Sequence, residues 1–226
     1  MERIIDECFT QDEVSFILSY GIENFHVIES TDFNTKYRDL DFSLFWKTIY
    51  PKIKDILPTE FVIKGGFLNE TSNPYLIHSD GARTPEEKLL CTVLLPLKLT
   101  FFDESKYDGT KNKLFIFNQT SDFATTFRMN DKDAKAFPYY RLATSPEDYR
   151  KFVNGSTGTE FTDSEVLASC DHLTKDEFFG MSLKLETEWK IGKCIIFHPH
   201  NIHTSTNFKK LGIQSKTNLV YSLLNK

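Results

Sequence analysis

The chain has 226 residues, of which 40% are hydrophobic and 26% charged, and its formal net charge is −5. This size and composition are typical of one folded domain with a substantial core. The acidic balance and the scattered basic residues argue against strong phosphate binding, so nucleic acid is disfavoured as a partner. No apolar run approaches the roughly 18 residues that suggest a membrane span, and the acidic N-terminal stretch does not have the pattern of a signal peptide.

The four cysteines, Cys8, Cys91, Cys170 and Cys194, are far apart and form no CxxC pair. Cys91 and Cys194 lie within apolar runs, which predicts buried free thiols. Because free thiols are typical of a reducing compartment, we expect a cytoplasmic protein.

Two helices are predicted in the first 58 residues. Residues 10–13, Thr-Gln-Asp-Glu, form a capping box, and Gly21 is expected to end the first helix at about Tyr20. Apolar residues then recur at helical spacing, which predicts a second helix over about 42–56 with a bend near Pro51.

After residue 60, short apolar runs alternate with polar turns, which indicates β-strands. The predicted strands are residues 61–68, 75–79, 89–99, 114–118, 181–189, 194–198 and 219–224. Gly65 and Gly66 indicate a bulge in the first strand. This spacing favours a sandwich or barrel over alternating β and α units.

We therefore expect one domain over residues 1–226, mainly β with flanking helices (an α+β fold). Residues 1–58 are predicted to form a helical support, and residues 59–226 the β core. The segment of about 128–175 fits the strand pattern least, because it is rich in charge, Gly and Ser. It is predicted to be an insertion, either a lid over a pocket or a plain surface excursion.

The first candidate site is His78-Ser79-Asp80. On a strand, His78 and Asp80 point to the same side of the sheet, so both can ligate one metal ion. His203 follows an apolar strand near the end of the chain and is a candidate third ligand. Two His and one carboxylate on one face, with the other positions open, suit a non-haem Fe(II) oxygenase.

Neighbouring imidazoles offer a different site. His198 and His200 are two residues apart, so on a strand they share a face and can clamp Zn²⁺. Together with His203 they would form the zinc or manganese centre of a cupin-like isomerase. The residues by themselves leave both metal sites open.

Several pieces of the sequence carry a resemblance to a known family. They are residues 75–81, 92–97, 179–181, 189–192, 202–203 and 215–219. In these pieces the chain resembles the Fe(II)- and 2-oxoglutarate-dependent dioxygenases, particularly the phytanoyl-CoA hydroxylase-like and small phage or bacterial hydroxylases. The resemblance spans about residues 60–226 and implies a double-stranded β-helix, or cupin-like jelly roll, with a metal at its open end.

The resemblance also implies a ligand set. His78, Asp80 and His203 would hold Fe(II), which 2-oxoglutarate chelates as co-substrate and which leaves one position for O₂. His203 is preferred over His198 and His200 because it keeps the family spacing from the turn glycine at position 192.

A cation for the far carboxylate of 2-oxoglutarate is implied at Lys216, with weaker hydrogen-bonding roles at Asn218 and Thr92. The usual cation in similar proteins is Arg, whose bidentate fork Lys replaces with a point charge. Family members that halogenate lack the carboxylate ligand, so Asp80 implies hydroxylation or a related oxidation, with release of succinate and CO₂. The expected substrate is a small molecule or is of amino-acid type. The alternative is a non-catalytic, or a zinc or manganese cupin-like, metal-binding β-barrel.

Overall fold

The computed structural model describes residues 2–24, 27–30, 35–39, 42–74, 77–78, 89–119, 160–199 and 201–226. Its strands are β1 (Arg3–Ile5), β2 (Val27–Ser30), β3 (Thr35–Asp39), β4 (Phe61–Thr71), β5 (Leu89–Phe101), β6 (Lys113–Gln119), β7 (Met181–Glu188), β8 (Cys194–Phe197), β9 (Ile202–Ser205) and β10 (Ile213–Asn225). Its α-helices are α1 (Gln11–Asn24), α2 (Phe42–Leu44), α3 (Tyr50–Ile53) and α4 (Ser164–Ser169). A π-helical turn covers Phe45–Ile49, and 3₁₀ turns cover Lys54–Ile56, Glu104–Lys106, Gly109–Lys111, Lys175–Phe178 and Phe208–Leu211.

The strands form two antiparallel sheets. The large sheet has the order β1-β8-β5-β10-β4-β3-β2, and the small sheet has the order β7-β6-β9. His78 forms an isolated antiparallel bridge to His203, which places it beside β9 in the small sheet. From β4 onward the chain therefore crosses repeatedly between the two sheets. This is the path of a jelly roll, and the predicted fold class is confirmed.

Each sheet has an inner and an outer face, because successive side chains of a strand point to opposite sides. The inner faces pack through a cluster of buried apolar residues from both sheets: Leu114, Ile116, Ile195 and Phe197, with Leu94 and Leu185 against them. On β10, Leu219, Tyr221 and Leu223 belong to the outer core that the N-terminal helices cover. Lys216 and Asn218 stand at the alternate positions of β10, so they lie on its inner face.

The N-terminal helices differ in part from the prediction. The capping box is confirmed, since the Thr10 amide donates to Glu13 Oε2 at 2.8 Å and the Glu13 amide donates to Thr10 Oγ1 at 3.3 Å. Gly21 does not end α1, however. It is buried inside the helix, and the packing of this face outweighs the low helix propensity of glycine.

The predicted helix over 42–56 is a composite of α, π and 3₁₀ turns. The Tyr50 amide bonds to the Phe45 carbonyl, five residues back, at the end of the π turn. The π turn ends two residues before Pro51, where a bend was expected because proline lacks an amide hydrogen.

The glycine bulge is confirmed in β4. On β10, Ser222 pairs with Gly65 and Leu223 pairs with Ile63, so Lys64 has no opposite residue. Gly66 lies directly opposite Tyr221, and a Cβ atom there would be 2.3 Å from the Tyr221 ring. Gly66 is therefore needed for the close approach of the aromatic ring to the backbone.

The strand prediction was wrong at the two ends of the chain. β10 begins at Ile213, six residues before the predicted apolar run of 219–224 and three before Lys216, which was also predicted to be the first residue of the last strand. β1, β2, β3 and β9 were not predicted, since each has only three to five residues. His203 consequently lies within β9 and not after a strand.

The cysteines are buried in the core. All four cysteines are free and buried, as expected for Cys91 and Cys194. Within the described ranges, no helix is both long enough and apolar enough to cross a membrane. The division near residue 58 and the insertion over about 128–175 stay predictions; of that segment, the structure describes residues 160–175, which contain α4.

Candidate active site

His78 and His203 form a pair at the edge of the small sheet. The His78 amide donates to the His203 carbonyl at 3.1 Å, and the His203 amide donates to the His78 carbonyl at 2.7 Å. Directly opposite residues of an antiparallel pair project to the same face, and the two imidazole centroids are 4.2 Å apart. The backbone thus brings together two predicted metal ligands that are far apart in sequence.

The His203 ring is held from two sides. It is only 6% exposed, and its centroid lies 4.8 Å from the ring of Phe197 on the facing sheet. Its Nδ1 atom lies 3.1 Å from the backbone oxygen of Asn201. Because a carbonyl oxygen can only accept, this contact is a hydrogen bond when Nδ1 carries the proton. Nε2 then keeps the lone pair that a metal ion needs.

The third predicted ligand, Asp80, lies outside the described residues, as does His200. Within the part of the chain that the structure describes, no group of three His, Cys, Asp or Glu side chains converges on one point. The structure therefore places two of the predicted iron ligands together and leaves the carboxylate ligand a prediction.

His198 is a further histidine of the region that the structure describes. It follows Phe197 in the chain and is half-buried, and its charged neighbours include Glu2 and Lys184. Burial is the main reason that the pKa of His198 lies below its usual range. β8 ends at Phe197, the residue whose ring contacts His203, so His198 lies just beyond the strand. The zinc site of His198, His200 and His203 stays a hypothesis, because His200 lies outside the described residues.

Lys216 is buried on the inner face of β10, with 3% exposure. Its Nζ atom has no hydrogen-bond partner among the residues that the structure describes. Two aromatic rings flank it instead, with Nζ at 5.1 Å from the centroid of Trp189 and 4.9 Å from that of Phe208. Burial lowers the pKa of Lys216 to about 7, because removal from water penalises the charged form.

The surroundings of Lys216 connect it to the strand that carries His203. Phe208 lies in the turn that follows β9. Cys170, which is near enough to act electrostatically on Lys216, donates its thiol hydrogen to the Ser205 carbonyl at 3.6 Å. Ser205 is two residues beyond His203 on β9, so it projects to the same face. The buried amine is thus adjacent to the end of β9.

Asn218 and Thr92 were predicted to donate hydrogen bonds to the far carboxylate of 2-oxoglutarate, but only Asn218 lies near Lys216. Asn218 Oδ1 accepts the indole hydrogen of Trp189 at 2.8 Å, so a ligand would meet its Nδ2 group. Thr92 is buried opposite Phe197 and Ser222, at the imidazole end. Ser222 is six residues from Lys216, roughly 20 Å along the strand. Thr92 is therefore too far along the inner face to bind the same carboxylate as Lys216 and Asn218.

Trp189 and Phe208 were not predicted to belong to the site. Trp189 lies in one of the pieces that carried the family resemblance, and Phe208 directly precedes the Lys209-Lys210 pair. No local pattern assigns either ring to the inner face, because both follow the end of a strand. Their contacts with Lys216 arise only when the two sheets pack.

Comparisons with known proteins agree with this architecture. No protein-family model matches the sequence, and no curated protein matches it. Several solved structures do match, and the chain shares their jelly-roll fold. All of it aligns with 83% of HygX from Streptomyces hygroscopicus, solved with nickel and 2-oxoglutarate bound, at a TM-score of 0.52 and 10% identity.

Two other solved structures give similar values. For SnoK, a non-haem α-ketoglutarate-dependent carbocyclase from nogalamycin biosynthesis, 99% of this chain aligns with 80% of that chain, with a TM-score of 0.53 and 11% identity. For the viral collagen prolyl hydroxylase vCPH from Paramecium Bursaria Chlorella virus-1, in its 2-oxoglutarate complex, the coverages are 100% and 96%, with a TM-score of 0.50 and 10% identity. The jelly roll implied by the sequence resemblance is confirmed by these likenesses, which concern the fold alone.

Proposed function

We propose that this protein is an Fe(II)- and 2-oxoglutarate-dependent oxygenase. Its reaction would convert 2-oxoglutarate, O₂ and a substrate C–H bond into succinate, CO₂ and the hydroxylated product. When bound, the ferrous ion and 2-oxoglutarate supply the oxidising power for this step. The protein's own contribution is to hold the metal with an open side and to orient the two organic molecules.

One combination of features carries the proposal. A single jelly roll contains an imidazole pair on one sheet and, on the other, a buried amine without a hydrogen-bond acceptor among the described residues. An uncompensated buried cation is costly, so the Lys216 site suits an anion brought by a ligand. A keto acid with a second carboxylate would chelate a metal at the imidazole pair and extend its far carboxylate along β9, past Ser205, towards Lys216.

The other residues take their roles in this proposal from where they lie. Asp80, two residues after His78, would be the third metal ligand. Asn218 would meet the carboxylate beside Lys216 through its Nδ2 group, and Thr92 would act at the imidazole end. The inner face between these groups is lined by apolar side chains, which keep water from the reacting centre.

We propose a small-molecule or amino-acid-type substrate. HygX has been solved with hygromycin B, SnoN, an epimerase from nogalamycin biosynthesis, has been solved with nogalamycin RO, and vCPH is a collagen prolyl hydroxylase. These structures support both substrate classes for a jelly roll of this kind. The four free cysteines support a cytoplasmic location, and we propose that residues 1–226 form one domain.

The direct test is anaerobic addition of Fe(II) and 2-oxoglutarate to the purified protein. We expect a weak visible charge-transfer band from the chelate, and we expect it to disappear in His78→Ala, Asp80→Ala and His203→Ala. His198→Ala is the matched control, because it removes a nearby imidazole that is not in the proposed iron ligand set. Absence of the band from the unaltered protein would refute the proposal.

The same variants test the alternatives. Tight Zn²⁺ that survives His78→Ala but is lost in His198→Ala would favour the cupin-like zinc site. Failure to form succinate from 2-oxoglutarate with any substrate pool, although Fe(II) binds, would favour a non-catalytic metal-binding barrel.

A further inference from the structure

Three distant parts of the chain meet in one polar cluster. Glu2 Oε1 accepts hydrogen bonds from Lys184 Nζ and from Asn201 Nδ2, each at 2.6 Å. Glu2 directly precedes β1, Lys184 lies on β7, and Asn201 directly precedes β9. The cluster thus joins the edge strands of both sheets next to the strand that carries His203.

The cluster is partly shielded and charged. The Glu2 and Lys184 side chains are 22% and 32% exposed. Burial raises the pKa of Glu2, but the hydrogen bonds from Lys184 and Asn201 outweigh it and hold the pKa below its usual range. The carboxylate is therefore ionised at neutral pH, and charge-assisted hydrogen bonds of this kind are short and strong.

Asn201 connects this cluster to His203. Its amide hydrogen bonds to the His198 carbonyl at 2.9 Å, and its own carbonyl oxygen lies 3.1 Å from His203 Nδ1. The side chain held by Glu2 and the carbonyl that faces the imidazole belong to the same residue. Fixing the side chain consequently restricts where the carbonyl can point.

We propose that Glu2 and Lys184 are positioning residues for His203. Glu2 accepts the hydrogen bond of the Asn201 side chain and Lys184 holds Glu2, so that the Asn201 carbonyl keeps the His203 imidazole in the Nδ1–H tautomer. In this tautomer Nε2 would be unprotonated and able to bind a metal ion. The effect on metal binding rests on the proposed function, whereas the effect on the tautomer does not.

The cluster is not required to attach β1 to the sheet. β1 already pairs with β8 through three consecutive residues, Arg3 with Ile196, Ile4 with Ile195, and Ile5 with Cys194. Glu2 is the side chain that bonds to Asn201, and Lys184 bonds to Glu2, so the cluster acts on Asn201 through the Glu2 carboxylate.

The test uses the full-length, metal-free protein with ¹⁵N-labelled histidine, above the usual imidazole pKa of about 6.5. Long-range ¹H–¹⁵N spectra report which ring nitrogen carries the proton, and His203→Gln assigns the signal. In the unaltered protein we expect His203 as the Nδ1–H tautomer. In Glu2→Ala and Asn201→Ala we expect a mixture of both tautomers, and Glu2→Gln, which keeps an acceptor oxygen, should recover part of the original state.

Glu186→Ala is the matched control. It breaks the Lys113–Glu186 ion pair (3.0 Å), which joins two strands of the same small sheet without contact to Asn201. This variant should keep the tautomer of the unaltered protein. Circular dichroism on each variant separates a local effect from unfolding. Lys184→Met is a milder variant, because it removes the Lys184–Glu2 hydrogen bond but keeps the one between Glu2 and Asn201.

The second readout is the affinity for Ni²⁺, measured without 2-oxoglutarate or substrate. We expect about a tenfold loss in Glu2→Ala and Asn201→Ala, in the range typical of groups that orient a metal-bound histidine. An unchanged tautomer in both variants would overturn the inference, even if the Ni²⁺ affinity fell. A shifted tautomer in a protein whose unaltered form binds no metal would support the inference and refute the proposed function instead.

Discussion

Trp189 lies beside Lys216 on the inner face of the large sheet, with its ring centroid 5.1 Å from the Lys216 ammonium nitrogen. The same indole donates its Nε1 hydrogen to Asn218 at 2.8 Å, so the orientation of the ring is fixed. The face of an aromatic ring attracts a cation, but this attraction is weaker than an ion pair with a carboxylate. The aromatic rings therefore fix the position of Lys216 but do not neutralise its positive charge.

Replacement of Lys216 by Met should separate ligand binding from stability. We expect the affinity for 2-oxoglutarate, measured calorimetrically in the presence of Mn²⁺, to fall at least about 30-fold, because loss of a charged partner to a carboxylate typically costs about 2 kcal/mol or more. The free energy of unfolding of the ligand-free protein should rise, on the order of 1–3 kcal/mol, because an uncompensated buried charge is removed.

Lys193→Met is the control for this comparison. Lys193 is equally buried, at 5% exposure, but its Nζ atom bonds to Thr187 Oγ1 at 3.1 Å and to Asp6 at 2.9 Å. Its replacement should lower stability and leave 2-oxoglutarate binding unchanged. Equal effects of the two substitutions on 2-oxoglutarate affinity would contradict the assignment of Lys216.

The pH dependence of 2-oxoglutarate binding should follow Lys216. With a pKa of about 7, the amine is charged below pH 7 and neutral above it, while burial raises the pKa of neighbouring Cys170 to about 12, so that thiol stays uncharged. Affinity should be level below about pH 7 and fall by about tenfold per pH unit above it, because the bound carboxylate requires the protonated amine. Titration calorimetry from pH 6 to 9 measures this slope, which Lys216→Arg should abolish.

The free energy of unfolding of the ligand-free protein should rise with pH because of Lys216. The pKa of Lys216 is lower in the folded state (about 7) than in the unfolded state, where it is about 10.4. The unfolded chain therefore binds more protons between these values, and the Lys216 contribution makes stability rise with pH. The stability gained by Lys216→Met should be largest below pH 7 and vanish towards pH 10, as urea unfolding of the ligand-free protein would reveal.

Gly66→Ala should destabilise the fold strongly compared with Gly65→Ala. The added methyl group at position 66 would lie 2.3 Å from the Tyr221 ring, whereas at position 65 it meets no atom within 4 Å. Overpacking of this kind costs about 1–3 kcal/mol, and the buried Tyr221 ring has little room to move. Urea unfolding of both variants gives the comparison, and equal midpoints would show that the ring can shift.

The Trp189–Asn218 hydrogen bond should be worth roughly 1 kcal/mol in a double-mutant cycle, because both groups are buried. Trp189→Phe leaves Asn218 Oδ1 without this donor, and Asn218→Leu leaves the indole without its acceptor. We expect the double variant to be less destabilised than the sum of the two single variants. Additive effects would mean that the bond does not contribute to stability.

Features with a local cause were predictable from the amino-acid order. The capping box at Thr10 and Glu13 depends on residues three apart, and the bulge beside Gly65 depends on adjacent glycines. The β-rich character follows from short apolar runs, and the apolar setting of Cys91 and Cys194 indicated buried thiols. Each of these rests on contacts within a few residues, or on how often apolar residues recur.

The site depended on the packing of the sheets. Lys216 was predicted to be the first residue of the last strand with Asn218 on the same face, but the three earlier residues of β10 have no apolar alternation that would distinguish them from a turn. The pairing of His78 with His203 joins residues on separate crossings of the jelly roll, and the Glu2–Asn201 hydrogen bond spans 199 positions. The sequence by itself therefore determined which side chains are available for chemistry. The family resemblance implied that His78 and His203 meet at one metal. Only the tertiary structure decided that Trp189 and Phe208 flank Lys216 and that Glu2 bonds to Asn201. The energy of those contacts comes from burial between two sheets and not from neighbours along the chain.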